Sequence, residues 1–192
     1  MFAKSSEQLS QKLLQSNIIT KEQYEICKFG FQQGFTVLLN FCTVAAVGLA
    51  LHAFSSAMLF LAGFIPLRRF AGGYHAKTPL RCYLYSVGVM IAMLFGMKTA
   101  LPAAVCFITF GIASAAIFAF APVEDQHKPL DKIEHAVYQK RTRIVLVIEF
   151  VLFAASFFLH VQRLFICLTW AVASAAILLI LGKCKNAIRT EA

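Results

Sequence analysis

Long apolar runs, most of them flanked by lysine or arginine, dominate this chain and leave few ways for it to fold. A helix needs about 20 apolar residues to cross the hydrocarbon core of a bilayer. Runs approaching that length lie at 34–51, 53–67, 80–97, 101–121, 144–159 and 164–182. They are rich in Leu, Ala and Phe and do not alternate with a period of two, which argues against a transmembrane β-barrel. With 59% apolar and 14% charged residues, the composition lies outside the range of soluble domains. The expected fold class is all-α, a polytopic integral membrane protein of about six transmembrane helices.

The chain reads as a single membrane domain over 1–192: a cytoplasmic amphipathic segment at 1–30, a helical bundle at 31–185 and a tail at 186–192. The N-terminal segment is too polar to span. Its Leu9, Leu13, Leu14, Ile18 and Ile19 give a broken helical stripe, suited to a helix lying on the membrane interface or packed on the bundle. No small-residue cleavage site follows the first run, so a secretory signal peptide is not expected. With six spans, all but Lys98 and Arg163 of the 18 lysines and arginines fall on one side. The positive-inside rule then puts both termini and the loop between the second and third spans in the cytoplasm. The net charge of +9 is thereby explained as a topology signal, and no nucleic-acid partner is expected. A basic cytoplasmic face would attract anionic membrane lipid or an acidic peptide.

Several chemistries lack their residues. The six cysteines form no C-x-x-C pair, and no His/Cys/carboxylate set stands at ligand spacing, so neither a metal site nor a disulfide framework is expected. Walker-type and dinucleotide glycine motifs are absent, and the spans lack the acidic pairs that would hold magnesium. No cofactor is expected.

The loop between the second and third spans concentrates what chemistry there is, in the stretch RRFAGGYHAKTPLRCY from Arg68 to Tyr83. On a continuous helix His75 and Cys82 would stand roughly 10 Å apart, so they can cooperate only if the chain bends. Pro79 supplies the bend: it disfavours helix at Thr78 and suits the first helical position. Thr78 is then the N-cap and Cys82 lies in the first turn. The helix dipole, Lys77 and Arg81 all favour a thiolate there, below the pKa of about 8.5 of a free cysteine. Gly72 and Gly73 let the loop fold back so that His75 reaches the sulfur, a nucleophile and base pair of the kind used in acyl transfer.

The same stretch resembles the signature of the accessory gene regulator protein B (AgrB) family. The likeness extends to nearly the whole chain: a polar N-terminal segment, two spans, the motif loop and four further spans. It implies a membrane-embedded cysteine endopeptidase of Gram-positive quorum sensing, working as a homodimer. Such an enzyme cuts the C-terminal tail from an AgrD-like propeptide, holds the remainder as an acyl-enzyme and helps close a thiolactone or lactone ring. Carried over, Cys82 is the nucleophile and His75 the base, with Arg68 and Gly73 as supporting positions.

Other residues take roles from physical reasoning alone. Arg68 or Arg69 could pair with acidic groups of the substrate. The Gly73 amide could donate to an oxyanion. Asn40 and Glu149, polar within spans, are the candidates for orienting His75. Pro66 is expected to end the second helix early, sinking the loop below the membrane surface. The segment from Pro122 to Arg143 reads as a short cytoplasmic helix or a substrate contact. A small peptide exporter or permease without covalent chemistry, and a scaffold, are the competing classes.

Overall fold

A computed structural model describes residues 3–74, 79–97, 101–124 and 131–190, with the side chains of 3, 33, 79, 82 and 188–190 left out. Helix is the regular structure throughout: α1 (Ala3–Gln15), α2 (Lys21–Ala50), α3 (Phe54–Ala71), α4 (Pro79–Gly96), α5 (Ala103–Phe120), α6 (Lys132–Phe158) and α7 (Gln162–Thr190). Helices α2, α3, α5 and α7 are long and apolar enough to cross a membrane, and α4 carries a shorter apolar helix, Tyr83–Gly96. The apolar half of α6 follows Arg141 and Arg143 and is interrupted by Glu149. Large apolar side chains such as Ile112 (68% exposed) and Val147 (62% exposed) face outward along these helices. That arrangement is stable in lipid and costly in water. The chain is an all-α membrane protein.

Capping residues set where helices begin. Thr20 accepts from the Gln23 amide at 3.3 Å while Gln23 accepts from the Thr20 amide at 3.1 Å, a reciprocal box that starts α2. The polar segment is therefore two helices, and its second half is the opening of α2. Asp131 and Glu134 build the same box at the start of α6. The expected short helix in the segment after Pro122 is instead the first turns of a 27-residue helix.

Helix α3 also departs from expectation. It runs through Pro66 to Ala71, 18 residues in all. A proline removes one hydrogen bond, but Gly63, Leu67 and Ala71 on either side of it are buried in the bundle and keep the chain helical. The second span therefore does not end early.

Helix α7 is the hub, with 61% of its apolar window buried against 12% for α2. It packs along α3, where a Cβ on Gly63 would stand 3.1 Å from that of Ala171. A phenylalanine stack joins α5, α6 and α7: Phe153 lies 4.0 Å from Phe110 and 4.5 Å from Phe165, centroid to centroid. Helix α4 runs antiparallel to α7, with Met97 sulfur 3.6 Å from Cys167 at one end and Tyr85 against Tyr74 at the other. The helices thus alternate in direction. At one end the described chain holds Arg68, Arg69, Arg81, Lys140, Arg141, Arg143, Lys183 and Lys185; at the other, Arg163 donates to Ser55 at 2.8 Å.

Candidate functional site

The motif loop leaves α3 at the basic end of the bundle. Gly72 and Gly73 have φ of 73° and 119°, a region open to glycine and strained for other residues. Space imposes the same choice, because a Cβ on Gly72 would lie 2.1 Å from the Val123 oxygen and one on Gly73 2.8 Å from the Leu178 oxygen.

Three elements hold this turn. The Arg68 guanidinium donates to the carbonyls of Gly72 and Tyr74. The segment after α5 lies beside it as a short parallel bridge, in which the Val123 amide donates to Ala71 at 2.9 Å and the Gly73 amide to Val123 at 3.4 Å. The third is α7, whose Leu178 carbonyl accepts from the Tyr74 amide at 2.8 Å. The Tyr74 ring then meets Tyr85 of α4 edge-on at 5.9 Å. The last described residue before His75 is therefore fixed against the helix that bears Cys82.

Helix α4 begins at Pro79, the first-position role expected of it. His75, Lys77 and Thr78 lie outside the described residues, as does the Cys82 side chain, whose backbone sits in the first turn of α4. Next to it, the Tyr83 phenol is 2.9 Å from the Thr43 hydroxyl of α2. Asn40 stands one turn from Thr43 towards the basic end and donates to the Thr36 carbonyl at 3.0 Å. Its buried Oδ1 has no partner among the described residues.

The remaining sequence candidates separate. Arg69 and Arg81 are exposed. Glu149 is 3% exposed, and a Cβ on Gly63 would lie 3.4 Å from its Oε1. Gly63 precedes Gly72 by nine residues of α3, roughly 13 Å of helix, so the carboxyl is well removed from the loop. Cations crowd this end of the bundle: Arg141 lies over Phe70 at 5.4 Å, Lys183 over Phe120 at 3.8 Å and Lys185 over Tyr74 at 4.9 Å.

Residues 6–180 match the family model of accessory gene regulator B. The chain belongs to the accessory gene regulator B family. Two AgrB-like proteins of Clostridium perfringens, one from strain 13 and one from strain SM101, are each 25% identical to it over 138 residues. Those alignments cover 68% of this chain and 64% of each relative's own length. No solved structure matches it. Within this chain the supporting residues that sequence reasoning missed are Val123, Leu178, Gly182 and Asn186. Their partners are backbone atoms distant in sequence, and of the four only the glycine within an apolar helix leaves a trace in the sequence.

Proposed function

We propose that this chain is a membrane-embedded cysteine endopeptidase that trims and cyclises an AgrD-like propeptide, with Cys82 as nucleophile and His75 as base. The observation that carries the reading is the docking of Tyr74 against Tyr85. It holds the residue before His75 against α4, the helix that bears Cys82, and so supports a Cys/His pair. Family membership points the same way.

In this mechanism the Cys82 thiolate adds to the carbonyl before the propeptide tail, and His75 passes a proton to the leaving amine. The C–N bond breaks and a thioester to Cys82 remains. An internal thiol or hydroxyl of the peptide then attacks the thioester, giving up its proton through His75, and Cys82 is released as the ring closes. The sequence has no nucleotide motif, so the peptide bond supplies the energy of the new ester-type bond. Exchange with a thiol is nearly balanced while hydrolysis runs downhill, so the site must hold the attacking group ready and keep water out. Asn40, whose buried Oδ1 has no partner among the described residues and which lies one turn from the Thr43 contact with α4, is the residue we assign to orient His75. The basic end suits an acidic tail and, on charge grounds, the cytoplasmic side.

The exporter reading draws on Glu149, yet that carboxyl is buried in the bundle, and a Cβ on Gly63 of α3 would meet both its Oε1 and the Leu168 side chain of α7 at 3.4 Å. The decisive experiment uses purified protein and a propeptide whose internal Cys is changed to Ala. A hydroxylamine-sensitive adduct is expected with the parent and with neither Cys82→Ala nor His75→Ala. Tail cleavage by Cys82→Ala at the parent's rate would overturn the mechanism.

A further inference from the structure

We infer that Gly182 of α7 is a positioning residue for the Gly73–Tyr74 turn that leads into His75, and that one face of this helix is the bed on which that turn is laid. The inference rests on the assignment of His75 and Cys82 above.

Glycine is a poor choice inside a helix, because it gives up more backbone freedom than alanine and adds no packing. Gly182 is nevertheless in the interior of α7, which continues to Thr190, and it is buried. The reason is close approach of two backbones. A Cβ at this position would stand 2.5 Å from the Gly73 carbonyl carbon, 2.6 Å from the Tyr74 nitrogen and 2.8 Å from the Gly73 Cα. These are main-chain atoms and cannot swing aside as a side chain could. Gly73 meets the same constraint from the other side, with a would-be Cβ 2.8 Å from the Leu178 oxygen.

The contact is also bonded. Leu178 lies one turn before Gly182, and its carbonyl takes the Tyr74 amide on its second lone pair at 2.8 Å. One turn after Gly182, the Asn186 amide group donates to the Glu124 carbonyl at 2.8 Å. That holds the segment whose Val123 pairs with Ala71 and Gly73. Leu178, Gly182 and Asn186 follow each other at four-residue spacing, so they share one face of the helix. His75 is the next residue after Tyr74, one Cα step of about 3.8 Å away. A side chain on Gly182 would lift Tyr74, the residue that leads into His75.

The test uses the full chain reconstituted in lipid vesicles, comparing Gly182→Ala and Asn186→Ala with Gly111→Ala, whose Cβ enters open space. Hydrogen exchange at the Tyr74 amide should accelerate by about tenfold or more in Gly182→Ala and stay unchanged in Gly111→Ala. Adduct formation at Cys82 should fall by about a hundredfold, the scale of an ångström's misplacement. The pH profile of Cys82 alkylation should shift to that of His75→Ala, and combining Gly182→Ala with His75→Ala should cause no further loss. Asn186→Ala should move each readout the same way by less, and it decides the matter if Gly182→Ala fails to insert. Unchanged exchange at Tyr74, or losses that add to those of His75→Ala, would overturn the inference. A parent protein that forms no adduct at all would instead sink the proposed chemistry, leaving the exchange result to decide whether α7 holds the loop.

Discussion

Arg68 sets one guanidinium nitrogen on the carbonyl of Gly72 and the other on that of Tyr74. The side chain leaves the last turn of α3 and reaches over the chain that follows, supplying donors to a turn whose own geometry provides none. Arg68→Lys keeps the charge and loses the planar fork. Losing one charge-assisted hydrogen bond costs about 1.5–3 kcal/mol. We expect tail cleavage to fall by about one order of magnitude or more, with helix content by circular dichroism and membrane insertion unchanged. Full activity in Arg68→Lys would mean that only the charge matters.

Glu149 and Gly63 give a prediction about stability. Both carboxyl oxygens of Glu149 are buried without a hydrogen-bond partner among the described residues. Replacement by Met removes two unsatisfied polar atoms while keeping the volume, and should stabilise the bundle by about 1–3 kcal/mol. Gly63→Val should destabilise it by about 1–3 kcal/mol, since the first added carbon already stands 3.1 Å from the Ala171 Cβ. Thermal unfolding in detergent measures both. A lower midpoint for Glu149→Met would show that the carboxyl has a role its surroundings do not reveal.

The Thr43–Tyr83 bridge should behave as a unit. Thr43→Val and Tyr83→Phe each remove the 2.9 Å contact, at about 0.5–1.5 kcal/mol apiece. The double variant should lose about as much as the worse single one, by thermal unfolding. Fully additive losses would mean that the two hydroxyls do not depend on each other.

The division of charge between the two ends predicts a labelling pattern. In intact cells, single cysteines at Arg163 should react with an impermeant thiol reagent, and those at Lys132 or Lys183 should not. Labelling at Lys132 from outside would reverse the orientation and move the proposed chemistry out of the cytoplasm.

What the sequence determined by itself was the class of the fold and the position of most of its helices. Apolar runs between lysines and arginines mark helices because lipid allows a lone segment no other way to satisfy its backbone. Pro79 marks the start of α4 because its ring is pre-set for a first turn. Such signals are local, and local physics reads them. The continuation of α3 through Pro66 was decided by packing on both sides of the proline, and the inward turn of Arg68 by carbonyls that only the folded loop presents. The bed beneath that loop is made of Val123, Leu178, Gly182 and Asn186. Apart from a glycine inside an apolar helix it left no trace in the sequence, because its bonds run between main-chain atoms and helix faces that come together only when α5 and α7 dock against α3.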